Sequence, residues 1–500
     1  MGNLKGLAKD TAIYGLSSIV GRFLNYLLVP LYTATLSAAS GGYGVITNVY
    51  AYTALLLVIL TYGMETTFFR FANKEGEDPQ RVYSTTLVSV GFTSAVFIAL
   101  VLTFISPVSA FMGYAGHPSY VWVMAVTVAL DAFQCIPFAY LRYKKRPVKF
   151  AALKLANIIM SIALNLVFFL LLPALYESSG GEGIAGKIYS PEVGVGYAFY
   201  INLFCTGSMM LLLVKELTGF KYVFDRALLR RMLGYSWPIL VLGIAGILNQ
   251  TADKILFPYI YHGDDAHAQL GIYGAASKIA MIMAMITQAF RYAYEPFVFG
   301  NARSKDNRGS YAKAMKFFVI FTLLAYLAVI AYMDILKHLI GRDYWDGLRV
   351  VPIVMAAEIM RGVYFNLSFW YKLIDKTIWG AYLSGAGCLV LIIVNVIFVP
   401  RYGYMACAWA GFAGYGTAML LSYFAGQKHY PINYPVREIM IYVAVALVMT
   451  AGMSAANRQL PVWAALAVNT LLIALFAAMI VKRDFPLGNL PVVGKYFRKK

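Results

Sequence analysis

The chain has 500 residues, of which 60% are apolar and only 13% charged, and its mean hydropathy is +0.67. Such proportions exclude a soluble globular enzyme and describe a polytopic membrane protein. The formal net charge of +19 could suggest nucleic acid, but the cations sit in short loops between apolar runs, where membrane insertion itself concentrates them. Membrane lipids, not nucleic acids, are therefore the expected surroundings.

A membrane span needs about 20 mostly apolar residues. In chain order fourteen runs qualify, at about 11–32, 44–69, 82–105, 119–141, 150–173, 193–214, 234–260, 271–297, 314–336, 349–371, 378–400, 404–426, 437–456 and 460–481. Lys5 and Lys9 precede a first run of full span length, which reads as a signal anchor. With the N-terminus inside, the cytoplasmic segments hold 30 Lys and Arg residues and the opposite loops 5. The positive-inside bias thus predicts that both termini are cytoplasmic. Cys135, Cys205, Cys388 and Cys407 all fall within spans, without metal spacing, and read as packing residues.

The chain also repeats itself. Tyr43-Gly44 and Tyr273-Gly274 open the second and eighth spans, and the same offset of 230 residues relates Glu65 to Glu295, Arg142 to Lys372, Arg146 to Lys376 and Asn165 to Asn395. Six spans separate the copies, so both enter the membrane in the same direction. The predicted fold is all-α, with 14 transmembrane helices arranged as two six-helix lobes in parallel repeat plus two extra C-terminal helices, and with a substrate site between the lobes. The corresponding boundaries are an N-lobe over 1–214, a basic amphipathic linker helix over 215–232, a C-lobe over 233–427, and two further helices with a basic tail over 428–500.

Charges inside spans are the functional candidates, because a cation at the centre of a bilayer costs roughly 2.5–3.5 kcal/mol on insertion scales. Those well inside the spans are Arg22, Glu65, Asp131, Lys154, Asp253, Lys254, Lys278, Arg291, Glu295, Glu358 and Arg361. Helical spacing gathers several into polar stripes: Tyr14, Ser18, Arg22 and Asn25; Lys154, Asn157, Ser161 and Asn165; Gln288, Arg291 and Glu295. Three stripes suggest a common wet cavity. Arg291 with Glu295, and Glu358 with Arg361, are spaced to pair on their own helices, whereas Arg22 has no acidic residue at helical spacing in its own span. An arginine fork also suits phosphate, since it engages two oxygens at once.

The sequence resembles the polysaccharide transporter (Wzx-like) family of the multidrug/oligosaccharidyl-lipid/polysaccharide flippase superfamily over essentially its whole length. The resemblance rests on Gly21-Arg22-Phe23 with Leu27-Leu28-Val29-Pro30-Leu31-Tyr32, Tyr62-Gly63-Met64-Glu65-Thr66 with Phe69-Arg70-Phe71, Ile136-Pro137-Phe138 with Leu141-Arg142, Ala252-Asp253-Lys254, Tyr294-Glu295-Pro296-Phe297 and Pro400-Arg401-Tyr402-Gly403-Tyr404. It implies a flippase, not an enzyme, that moves an undecaprenyl-diphosphate-linked oligosaccharide across the bacterial inner membrane by alternating access, for O-antigen, capsule or exopolysaccharide synthesis. Carried over, it makes Arg22, Arg291, Lys154, Lys278 and Asn25 candidate contacts to the lipid diphosphate, and Glu65, Asp131, Asp253 and Glu295 candidates for gating or ion coupling. It implies no cofactor beyond coupling to protons or sodium, a monomer, and polysaccharide polymerase or assembly proteins as partners.

Two other functions compete. A polytopic glycosyltransferase or polymerase would need a substantial outer loop bearing catalytic groups, and the longest here, about 174–192, is short and Gly-rich. A multidrug antiporter of the same superfamily commonly carries lipophilic cations, which an arginine-containing cavity repels. Gly181 to Lys187 matches a phosphate-loop pattern, but Ile188 replaces the hydroxyl residue needed for magnesium and no strand precedes it. The run from His262 to His267 is metal-like in composition only and reads as an ordinary solvated loop.

Overall fold

The computed structural model describes Leu24 and residues 26–300, 307–374 and 376–484. Among them the regular structure is helical: α1 (Leu28–Thr35), α2 (Gly42–Thr61), α3 (Met64–Ala72), α4 (Pro79–Thr103), α5 (Pro118–Tyr143), α6 (Pro147–Leu166), α7 (Gly196–Leu212), α8 (Arg226–Ile260), α9 (Ala266–Gly300), α10 (Asn307–Ala331), α11 (Val351–Leu367), α12 (Ile378–Tyr402), α13 (Tyr404–His429), α14 (Val436–Gln459) and α15 (Val462–Arg483), with short helical turns between some of them. Eleven helices among the described residues are long and apolar enough to cross a membrane, or twelve if a pair bent by 120° before α7 counts as one span. This is a multi-pass membrane protein. Counting the bent pair, the difference between fourteen and twelve has two sources: the first expected span lies mostly outside the described residues, and α13, 26 residues long and interrupted by Gly411, Gly414 and Gly416, is not among the eleven.

Local chemistry explains where helices break. The second span divides at Tyr62 and Gly63, both at positive φ, a conformation glycine adopts without the steric cost of a Cβ. A Cβ on Gly63 would also lie 2.9 Å from Ile239 Cγ2, so the glycine serves both the turn and the contact with α8. The fifth span stays helical through a π turn at Val167–Leu171 and resumes at Leu172–Ser178. Pro173, which has no N–H to donate, sits at the start of that last piece.

The linker differs from the amphipathic helix expected over 215–232. Helix α8 starts at Arg226, capped by the Asp225 side chain, and residues 218–225 before it are not helical. They form a strap whose backbone is held by α4: Val223 N donates to Ser84 Oγ at 2.7 Å and Asp225 N to Thr85 Oγ1 at 3.3 Å, while just before the strap Tyr83 donates its hydroxyl to Glu216 O at 2.8 Å. The Arg81–Asp225 ion pair fastens the end of the strap, and Lys149–Glu216 and Arg231–Glu77 pairs hold the helices on either side of it. Satisfied backbone groups and paired charges, not an apolar helical face, hold it in place.

The chain divides into two compact units, one comprising the described residues up to Ala275 with Gly380–Gly411, the other Ala276–Trp379 with the described residues from Phe412 onward. The first unit is built around buried Met64, Phe68, Val82, Tyr83, Leu87, Ile136, Leu228 and Met232, so α8 packs into it. Its α2 and the start of α9 approach closely: a Cβ on Gly44 would lie 1.8 Å from His267 O, and one on Gly274 would lie 2.5 Å from Thr47 Oγ1. The second unit has an aromatic core of Tyr294, Tyr311 and Phe369 with Ile432. Its α10, α14 and α15 are joined where Lys316 pairs with both Glu438 and Asp484, and Tyr442 donates to Asp484.

Candidate functional site

Helix α5 places Asp131, Gln134, Cys135 and Phe138 on one face by their spacing of three, four and seven residues. That face meets α7, where Thr206 donates its hydroxyl to Asp131 Oδ1 at 3.1 Å and accepts, through its carbonyl, the Gln134 amide at 2.8 Å. Helix α6 brings the predicted stripe of Lys154, Asn157, Ser161 and Asn165. Asn165 is buried, accepts the Tyr32 hydroxyl at 2.6 Å and donates to Ser161 O at 2.8 Å. Lys154 and Asp131 act on each other electrostatically, yet the ammonium rests 4.0 Å from the centroid of the Phe138 ring.

Both charged side chains are half-buried. A charged side chain left partly open within a membrane bundle meets a polar space at far lower cost than hydrocarbon. Asn157 Oδ1, one turn beyond Lys154, is buried without a hydrogen-bond partner among the described residues. The first unit therefore holds one cation, one anion and an unsatisfied amide oxygen within a few helical turns, a set able to exchange partners with a charged ligand.

Other predicted residues sit in different environments. Glu65 pairs with Arg142, whose guanidinium also lies 4.9 Å from the Phe69 ring centroid. Asp253 is buried and held by Lys254 Nζ at 3.0 Å and by the Tyr273 hydroxyl at 2.6 Å; Asn48 then donates to Lys254 O at 2.8 Å and accepts from Tyr114 at 2.7 Å. These contacts give both carboxylates a local partner. In the second unit Lys278 is half-buried on α9, and exposed Arg291 lies 4.8 Å from the Phe365 ring centroid. Glu358 and Arg361 pair along α11, as their spacing suggests. Arg22 and Asn25 lie outside the described residues, as does the side chain of Glu295.

Sequence reasoning missed Thr206 and Tyr273 as partners of these charges, and Lys316 as the partner of Glu438 and Asp484. Thr206 and Lys316 act across 75 to 168 residues of chain, and no local period reports such contacts. Lys254 was visible beside Asp253, but adjacency on a helix does not normally bring two side chains together.

A family profile described as "Polysaccharide biosynthesis protein" matches residues 7–291. Among solved structures, the chain is similar to "Lipid II flippase MurJ, inward closed conformation", with a TM-score of 0.71 and 13% identity over 94% of this chain and 98% of that one. It is also similar to an inward-facing multidrug resistance MATE family transporter of the MOP superfamily, with a TM-score of 0.62 and 14% identity over 84% and 94% of the two chains. A third is the MATE multidrug transporter DinF-BH in complex with R6G, with a TM-score of 0.58 and 16% identity over 84% and 95%. No curated protein matches by sequence. At these identities the structural likeness speaks for the fold, and the neighbours are a flippase and transporters, not enzymes.

Proposed function

The chain belongs to the polysaccharide biosynthesis protein family, and from that premise we propose that it is a flippase for a polyprenyl-diphosphate-linked oligosaccharide. The observation that carries the proposal is Lys154: a half-buried ammonium inside the membrane bundle, resting on an aromatic ring, with no carboxylate at ion-pair distance among the described residues. A diphosphate supplies the direct, charge-assisted hydrogen bonds that such a cation does not make with Asp131. Arg22, Asn25, Lys278 and Arg291 are proposed as further contacts, while the lipid tail stays in the bilayer.

The energetics suit the task. A cargo carrying about two negative charges, moved outward across an inside-negative membrane, releases roughly 4.6 kcal/mol per 100 mV, from about 2.3 kcal/mol per charge. Membrane potential can therefore bias the loaded step. A proton or sodium ion acting through acidic residues can reset the empty carrier. The same reading places the protein in a bacterial inner membrane with both termini cytoplasmic, working as a monomer alongside polysaccharide polymerase or assembly proteins.

Likeness to multidrug transporters supports a second reading, export of lipophilic cations. Mass spectrometry of lipids that copurify with the protein separates the two. Polyprenyl diphosphate bearing sugar is the expected finding; drug-like cations without any polyprenyl diphosphate would overturn the flippase reading.

A further inference from the structure

The arrangement of Asp131 and Lys154 is that of a pair on standby. The two charges are in electrostatic reach across α5 and α6, but neither is docked on the other. The carboxylate takes a hydroxyl hydrogen bond from Thr206 at 3.1 Å, and the ammonium sits 4.0 Å from the Phe138 ring centroid. A cation held by a ring keeps its N–H donors available, whereas a lysine locked bidentate onto a carboxylate does not. Asn157 adds a buried, unsatisfied oxygen on the same face of α6. The titratable group acting on Asp131 is Lys154 from α6; Asp131 in turn acts on Tyr50 of α2 and on Cys135 of α5 itself, Cys205 of α7 acts on Tyr50, and Cys135 and Arg142 act on Lys154.

We propose that Asp131 is the counter-ion which Lys154 exchanges for a phosphate of the cargo, and that Asp131 takes up one proton from water when the exchange occurs. The proposal rests on the lipid-diphosphate reading above. In the empty protein the carboxylate and ammonium offset each other. Once a phosphate oxygen claims the ammonium, the carboxylate faces an anion without compensation, and forming one O–H bond removes the repulsion. The Thr206 hydroxyl can then turn from donor to acceptor for the new carboxyl proton. Linkage is reciprocal, so protons must in turn tighten cargo binding. Asp131 is thus a positioning residue that ties the ammonium's availability to proton supply.

The test measures affinity of the full-length, detergent-solubilised protein for a short-chain polyprenyl diphosphate esterified with one sugar. Both phosphates of that probe are esterified, so it has no proton of its own to exchange near neutrality. Between about pH 5.5 and about pH 8.5 the wild type is expected to bind more tightly as pH falls, by up to about tenfold per pH unit, the limit for one linked proton. Asp131→Asn should lose the slope and bind at high pH as tightly as the wild type does at low pH. Lys154→Gln should bind weakly at every pH, and Lys154→Arg should recover both the affinity and the slope. A wild-type slope retained in Asp131→Asn, or wild-type affinity and slope retained in Lys154→Gln, would overturn the exchange. Absence of binding by the wild type at every pH would instead sink the carrier reading beneath it.

Discussion

Replacing Gly44 with alanine should separate the N-terminal ends of α2 and α9. The new Cβ would stand 1.8 Å from His267 O and 2.6 Å from its carbonyl carbon, and real Cβ atoms essentially never approach closer than 3.0 Å. The obstacle is backbone, which cannot swing aside as a side chain does. One helix must therefore move by about 1.2 Å, the gap between 1.8 Å and 3.0 Å. Forcing an extra methyl into a packed contact costs about 1–3 kcal/mol, which corresponds to roughly a 5- to 150-fold shift between two arrangements. Disulfide formation reads this directly. The Cβ of a residue placed at Gly274 would lie 3.2 Å from Thr47 Cβ, slightly inside the distance of about 3.5–4.5 Å found in disulfides. The double variant Thr47→Cys/Gly274→Cys, in a background lacking the native cysteines, should cross-link under mild oxidation. Adding Gly44→Ala should sharply reduce the yield while the protein still elutes as a single species. Unchanged cross-linking would refute the claim that glycine is needed for the approach.

Other predictions follow from the charge network. Lys316→Met takes the ion-pair partner from Asp484 and Glu438 and leaves Arg483 as the cation acting on Asp484; losing that partner costs about 1–3 kcal/mol and should lower the thermal midpoint in detergent. Burial raises the Asp484 pKa, but hydrogen bonds from Lys316 and Tyr442, with the Lys316 charge, outweigh it and leave the carboxyl below its usual range. Its stabilisation is therefore present above the unfolded-state value of about 3.9 and lost as pH falls through the lower folded value, so the thermal difference between wild type and Asp484→Asn should stay flat from about pH 5 upward. Glu65→Gln removes the partner of Arg142; expression and folding should survive, because both groups are partly exposed and such pairs contribute about 1 kcal/mol or less. Arg22→Ala should abolish translocation without preventing membrane insertion, with Arg22→Lys retaining part of the activity; normal transport by Arg22→Ala would remove Arg22 from the substrate site.

Apolar length made the membrane class readable, because each span is written locally in about 20 consecutive residues. The Tyr-Gly repeat was equally legible, and the structure gives it a physical use: Gly44 and Gly274 serve the same close helix approach. The strap at 218–225 was not legible. Its Phe and Val residues mimic one face of a helix, while the groups that hold it extended, Ser84 and Thr85, lie about 140 residues earlier in the chain. The α6 stripe announced Lys154 as a polar-facing cation, but periodicity could not name Phe138 and Asp131 as its neighbours. Asp131 and Asp253 both read as intramembrane acids from sequence, and packing separates them: Lys254 and Tyr273 bond Asp253, whereas Thr206 bonds Asp131.

The central claim concerns what crosses the membrane. Purified protein reconstituted into liposomes, with a fluorescent polyprenyl-diphosphate oligosaccharide in one leaflet and an inside-negative potential imposed, gives the most direct reading through quencher accessibility. The account predicts net movement of the lipid-linked glycan toward the positive side, faster with larger potential and greatly slowed by Lys154→Gln. Movement of a lipophilic cation with no movement of the lipid diphosphate would contradict it.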